Sequence, residues 1–360
     1  MKAIIFAGGV GTRLWPLSRK KSPKQFEKII GEKSTLTLTL ERLLPILDWR
    51  DIYIATGERY IDLIHTNLPK IPKENIIGEP IMKDVGPAVG LAISILVKKF
   101  PHTPLALLWS DHLVKHEDLF RKILQTAGDI IQKGQTKLVF ISQKPRFASQ
   151  NLGWIDFGDI YQNINGINIH KFNGLFYRPS LPLAEKYFKS GHHAWNLGYF
   201  VTTPSYLWKQ YETLQPELFK GLLKIQEAHN TPLSRDTLRK IYSQFEKISF
   251  DDAILSKVDK SQALVISEDL GWSDVGAWEA LKEALQKSPD ENVAQGKVLL
   301  NGSKDSLIYN YTDQMIVALD VEGLLVVNTH DVILICHKNS VPKIKKLVES
   351  LEGSENEHLT

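Results

Sequence analysis

The chain has 360 residues, 43% hydrophobic and 24% charged, the composition of an ordinary globular protein and a length that suits one large core plus a smaller unit. Its 44 Lys and Arg against 41 Asp and Glu leave a net charge of +3, which gives no reason to expect nucleic acid as a partner. Cys336 is the single cysteine, which excludes an intrachain disulfide and a thiolate metal site and fits a reducing compartment, cytoplasmic by default.

In chain order, the apolar run Ala3 to Ala7 predicts a strand that delivers the backbone into a glycine-rich loop. Leu36, Leu40, Leu43, Leu44 and Leu47 recur at helical spacing, Ile52 to Ala55 reads as a buried strand, and Glu58 to Leu68 as a helix. Ile76 and Ile77 make a brief strand before Gly78-Glu79-Pro80. Pro87 suits the first turn of a helix running to Phe100, and Leu105 to Trp109 is a further strand. This alternation predicts an α/β sheet, mostly parallel, in which ligands gather at the carboxyl ends of strands. Lys137 to Ser142 continues it, whereas Phe147 to Lys171, with Gly153, Gly158 and Gly166 among asparagines, reads as turns and short strands that leave the sheet. Trp195 to Phe200 is a strand, followed by helices from Pro204 to Glu246. A polar stretch, Ser288 to Asn292, marks a boundary between domains 1–288 and 289–360, the second made of short β runs from Val298 to Cys336 and a terminal helix, Val341 to Leu351. Gly353 to Thr360 reads as a frayed end.

The loop that follows the first strand carries Gly8, Gly9 and Gly11, and then Thr12, Arg13, Pro16, Pro23 and Lys24. It is not a dinucleotide fingerprint, because Leu14 stands where the third glycine belongs, and it lacks the Gly-Lys-Ser or Gly-Lys-Thr of a P-loop. Three glycines alone fit a tight turn. With Arg13 and Lys24 beside them, the loop amides suit a polyphosphate neutralised by two cations. A nucleoside triphosphate needs a divalent cation, and Mg²⁺ takes one or two carboxylates with phosphate oxygens and water. Asp111, after Leu105 to Ser110, and Asp274, in Gly271-Trp272-Ser273-Asp274-Val275-Gly276-Ala277-Trp278, are the candidates. Position alone also allows each of them to cap a following helix.

The string Gly8-Gly9-Val10-Gly11-Thr12-Arg13-Leu14-Trp15-Pro16-Leu17 resembles the signature of the sugar-1-phosphate nucleotidylyltransferases, and Pro23-Lys24-Gln25-Phe26 resembles their mannose-1-phosphate guanylyltransferase branch. Ser110-Asp111-His112, Trp272 to Trp278, Trp195-Asn196 and Phe250-Asp251-Asp252-Ala253 are similar to further family segments in the expected order. The resemblance implies a Rossmann-like catalytic domain and a small β-rich C-terminal domain, left-handed β-helix-like in some members and used there for dimerisation. It implies guanylyl transfer from GTP to mannose 1-phosphate, with Mg²⁺ on Asp111 and Asp274 and catalytic roles for Arg13, Lys24 and Asp111. The nucleotide would meet Gly8, Gly9, Gly11, Thr12, Arg13, Lys24, Glu79, Pro80, Gly86 and Ser110. The sugar phosphate would meet Gly153, Arg178 and Asn196.

Two segments depart from the family's pattern. Lys83-Asp84-Val85-Gly86-Pro87-Ala88 stands for Arg-Asn-Thr-Ala-Pro-Ala, and Tyr177-Arg178-Pro179 for Glu-Lys-Pro, so a carboxylate for sugar hydroxyls is replaced by a phenol. The alternatives are therefore a nucleotidylyltransferase for another hexose or heptose 1-phosphate, or a non-catalytic nucleotide-sugar sensor. The longest apolar run, Ala88 to Val97, falls below the roughly 18 residues of a membrane span, so no membrane partner is expected.

Overall fold

The computed structural model describes residues 1–9 and 11–360; Val10, in the glycine loop, lies outside the described residues. The strands in chain order are β1 (Lys2–Ala7), β2 (Lys28–Ile30), β3 (Lys33–Ser34), β4 (Ile52–Gly57), β5 (Ile76–Glu79), β6 (Leu105–Trp109), β7 (His112–Leu113), β8 (Leu138–Gln143), β9 (Gly153–Ile164) and β10 (Ile167–Phe176). They continue with β11 (His193–Thr202), β12 (Ala263–Glu268), β13 (Ser273–Asp274), β14 (Val293–Gln295), β15 (Val298–Asn301), β16 (Leu307–Asn310), β17 (Ile316–Leu319), β18 (Leu324–Asn328) and β19 (Ile333–His337). The helices are α1 (Thr35–Leu43), α2 (Ile61–Asn67), α3 (Val85–Lys99), α4 (Glu117–Gln132), α5 (Leu181–Ser190), α6 (Pro204–Leu214), α7 (Pro216–Ala228), α8 (Ser234–Tyr242), α9 (Phe250–Ala253), α10 (Trp278–Leu285) and α11 (Ile344–Leu351).

The chain divides into two compact units, each assembled from separate stretches. The first comprises Met1–Gly8, Arg42–Trp109 and His116–Gly271, and the second Gly9–Glu41, Ser110–Lys115 and Trp272–Thr360.

The first unit is built on a sheet of order β5-β4-β1-β6-β11-β8-β12-β10-β9. β5, β4, β1 and β6 run parallel, as do β8 and β12, while β11 is antiparallel to β6 and β8. The near-continuous apolar runs of β1 and β6 are what parallel strands covered on both faces require, and Ala3 to Ala7 are buried throughout. α3 packs on this sheet with α6 and α7. Gly90 permits that approach, because a Cβ there would lie 2.6 Å from Leu222 Cδ1. The stretch expected to hold turns and short strands forms instead the long hairpin β9–β10. Its turn is Asn165-Gly166, at φ 52° and 83°, the left-handed pair that a two-residue hairpin turn demands.

The second unit pairs β7 with β13 and stacks the C-terminal strands in parallel coils, Leu307 beside Leu325 and Val298 beside Ile316. In both of these pairings the offset is 18 residues, and the buried Asn328 donates to Asn310 Oδ1 at 3.0 Å across it. The core joins Leu14 and Trp15 to Trp278, Tyr309 and Val327. The fully buried Trp278 donates its indole N–H to Trp15 O at 3.0 Å. The tail is not frayed as expected. Trp15 Nε1 donates to Leu359 O at 2.8 Å, and docking the last turn satisfies an indole N–H that burial would otherwise leave unpaired.

Candidate active site

In the second unit the antiparallel pair β7–β13 sets Asp274 opposite His112, and Val275 N–H donates to Asp111 O at 3.1 Å. This two-residue ladder brings the two acids side by side. Neither one caps a helix: α4 begins after His116 and α10 after Ala277. Lys24, buried at the start of a short 3₁₀ turn, donates to Asp111 Oδ2 at 2.6 Å. Gly11 is the residue that permits this. It sits at φ 75°, and a Cβ there would lie 2.6 Å from Lys24 Cδ, so both backbone and space call for glycine. Gly276 plays the matching part for Arg13, whose Nη2 would lie 3.0 Å from a Cβ at 276.

The electrostatics follow from this packing. Burial would push the Asp111 carboxyl up, but the charges of Lys24 and His112 hold it well below the usual carboxylate range. Asp274 is pushed up by burial and then by the charge of Asp111, against the pull of Lys24 and Arg13. Two adjacent carboxylates, the charge of one raising the pKa of the other, form a set a divalent cation would satisfy. No cluster of three or more His, Cys, Asp or Glu suited to a metal occurs among the described residues. Two carboxylates completed by substrate phosphate fit Mg²⁺ without a third. Gly9, Thr12 and Ser110 lie in this unit with them. His112 stacks edge-on against Trp272 at 5.0 Å and is a packed neighbour of Asp111.

The remaining predicted residues belong to the first unit, as does Gly8 at its end. Glu79 ends β5, and Tyr242 of α8 donates to its Oε2 at 2.6 Å. Burial outweighs that hydrogen bond and raises the Glu79 carboxyl to about 7. Gly86, in the first turn of α3, accepts from the buried Tyr211 hydroxyl at 2.5 Å. A Cβ at Gly86 would lie 2.7 Å from Ile248 O. Pro80 follows Glu79 directly. Gly153 and Asn196 are register partners on β9 and β11, with the Asn196 Cβ 3.3 Å from where a Gly153 Cβ would stand. Arg178 is exposed just beyond β10, at φ 44°, with its guanidinium 5.0 Å from the centre of the Tyr177 ring. The two tyrosines carry no motif of their own and emerge only from the packing; Asp251 lies in the family-like segment Phe250 to Ala253, but its bond to Asn196 shows only in the fold.

A profile of the nucleotidyl transferase family matches residues 2–291, and one of a MannoseP isomerase/GMP-like beta-helix domain matches residues 296–351. The chain belongs to the nucleotidyl transferase family. It is 31% identical to mannose-1-phosphate guanylyltransferase 2 of Escherichia coli O157:H7, over 97% of this chain and 73% of that protein. With the mannose-1-phosphate guanylyltransferase RfbM of Salmonella typhimurium the identity is 32%, over 98% and 72%. Among solved structures, the protein described as mannose-1-phosphate geranyltransferase from Thermus thermophilus superposes with a TM-score of 0.85 at 26% identity. That match covers 98% of this chain and 99% of the other. The nucleotidyltransferase is thus an α/β enzyme with a β-helix-like C-terminal segment. No helix among its described residues is long and apolar enough to cross a membrane.

Proposed function

We propose that this nucleotidyltransferase joins the guanylyl group of GTP to mannose 1-phosphate, forming GDP-mannose and pyrophosphate in the cytoplasm. The observation that carries the reading is the convergence of Asp111, Asp274, Lys24 and Arg13 within one unit, three of them bound to or facing one another. Relatives named for this activity, aligned along nearly the whole chain, supply the substrate class.

The sugar phosphate oxygen attacks the α-phosphorus of GTP in line, and pyrophosphate leaves from the opposite side. Such a transfer asks the protein for positioning and charge stabilisation rather than for a nucleophile. Arg13, Lys24 and the amides around Gly9 and Gly11 hold the departing pyrophosphate, and Lys24 exchanges its carboxylate partner for phosphate oxygens as the nucleotide binds. Asp111 and Asp274 would hold Mg²⁺, whose charge, when bound, neutralises phosphate oxygens. Glu79 presents a carboxylate acceptor, which suits the N1–H and amino group of guanine. Gly153 and Asn196 meet the sugar, and Arg178 its phosphate. Domains 1–288 and 289–360 would divide the labour between catalysis and assembly. Leu299, Val317 and Leu319 of β15 and β17 expose an apolar face, each more than half accessible, that a second copy would cover as a homodimer.

One observation favours a second reading, a different hexose 1-phosphate. Tyr177, where the resemblance implies a carboxylate, is exposed and lies under Arg178. Pyrophosphate release measured over a panel of nucleoside triphosphates and sugar 1-phosphates separates the two. Highest kcat/KM for GTP with mannose 1-phosphate is expected, and a clear preference for another pair would replace the reading.

A further inference from the structure

Asn196 stands at an irregularity in β11, where the pairing with β8 shifts between Asn196 and Tyr199 and Gly198 takes φ 69°. The bulge turns the Asn196 side chain out of the regular ladder. Its amide is fixed at both ends: Oδ1 accepts the Gly198 N–H at 2.9 Å, and Nδ2 donates to Asp251 Oδ1 at 3.1 Å. Asp251 reaches this point from α9, held by the Ser249 cap on the Asp252 N–H. Beside them Gly153 contributes no side chain, leaving room over the Asn196 amide.

Two features make this more than a tie between β11 and α9. The first is hydrogen-bonding capacity. One Nδ2 hydrogen of Asn196 remains, and a carboxylate has about four acceptor positions, of which the described bonds use a minority. A donor and an acceptor side by side match a hydroxyl, which accepts from the one and donates to the other. The second is cost. Asp251 is desolvated, and the nearby charges of Asp252 and Asp84 further disfavour its ionised form. Among the described residues no Lys or Arg forms an ion pair with it. A structural tie would be made as well by a neutral amide, whereas a desolvated carboxylate without a cation partner gains most from a further hydrogen-bond donor such as a ligand hydroxyl.

We infer that Asp251 and Asn196 act together as the hydroxyl reader of the hexose, with Asp251 the specificity-determining carboxylate for the sugar ring. The inference rests on the sugar 1-phosphate reading given above. Tyr177 does not supply this acceptor, since a phenol is one rotating donor and acceptor without charge.

The test uses the full chain with mannose 1-phosphate and its single-deoxy analogues, reading kcat/KM by pyrophosphate release, with GTP binding followed separately by calorimetry. Asp251→Asn keeps the shape and removes an acceptor. It should lower kcat/KM for mannose 1-phosphate about 10- to 100-fold, the size of a hydrogen bond to a charged group, and leave GTP affinity unchanged. The deoxy analogue that costs the wild type most should cost Asp251→Asn little, because the lost hydroxyl and the lost carboxylate are two halves of one contact. Asn196→Ala should single out the same analogue. A uniform loss over all analogues, or unchanged GTP and sugar kinetics in Asp251→Asn, would overturn the role of Asp251 while the wild type still turns over. Absence of turnover by the wild type with any hexose 1-phosphate would overturn the sugar 1-phosphate reading itself, and this inference with it.

Discussion

The carboxylates of the two units differ in their partners. Asp111 is half-buried against a lysine that lowers its pKa, and Asp274, raised by burial and by Asp111, still has the cations Lys24 and Arg13 beside it. Glu79 and Asp251 are also desolvated, but their hydrogen-bond partners are a phenol and an amide, and both carboxyls are raised. The contrast suits the ligands assigned to each. Phosphates and a divalent cation exchange full charges with Lys24, Arg13 and the two aspartates, whereas a base edge and sugar hydroxyls offer neutral donors that bind best to an acceptor not already committed to a cation.

The largest effect should come from breaking the charged set. Asp111→Asn and Asp274→Asn should each abolish pyrophosphate release at saturating Mg²⁺ while thermal unfolding remains cooperative, since each variant keeps its shape and loses a metal carboxylate. Near-normal rates in either would remove the metal assignment. Next, Arg13→Ala and Lys24→Ala should lower kcat on the order of 10² to 10³, the usual cost of one pre-aimed charge donor. Steady-state kinetics that show only a raised KM for GTP would make them binding residues alone.

On the neutral side the effects should be smaller and confined to binding. Tyr242→Phe removes the hydroxyl that holds Glu79, and the KM for GTP should rise about tenfold with kcat nearly unchanged, a loss of one hydrogen bond to a charged acceptor. The smallest effect is one of pH. Because burial raises Glu79 to about 7, its acceptor form grows as pH rises through that value, and GTP affinity by calorimetry should strengthen over that range and flatten in Glu79→Gln. The sign for folding is opposite. A carboxyl raised in the folded state favours folding most below its unfolded pKa, and that contribution is lost as pH rises through about 7. The melting temperature of Glu79→Gln should therefore gain on the wild type as pH is raised from the acid side of that value to the alkaline side.

Much of the charged side is legible in the chain because its parts are short local strings: a strand, a glycine turn, Arg13, and an acid after a strand. What the string does not reveal is why Gly11 must be glycine, since that depends on the Lys24 stem crossing over it. The neutral side is assembled over long separations, Glu79 with Tyr242 and Asn196 with Asp251; Glu79, Asn196 and Asp251 stand in local strings, but nothing in the string pairs them. Two further signals do stand in the string. Asn165-Gly166 specifies the β9–β10 hairpin by turn chemistry alone. Asn310 and Asn328, 18 residues apart, mark the coil length of the C-terminal strands. Pro87 likewise places the start of α3, whose fit against α6 and α7 depends on Gly90.

The claim that the residues around Asp111 position charge for a direct transfer, with no nucleophile of their own, is tested most directly by stereochemistry at the α-phosphorus. Turnover of a single diastereomer of GTP bearing sulfur on the α-phosphorus, with the product configuration read by phosphorus NMR, decides it. A single in-line displacement by the sugar phosphate predicts inversion. Retention would mean two successive displacements through a covalent enzyme intermediate, and would contradict the account.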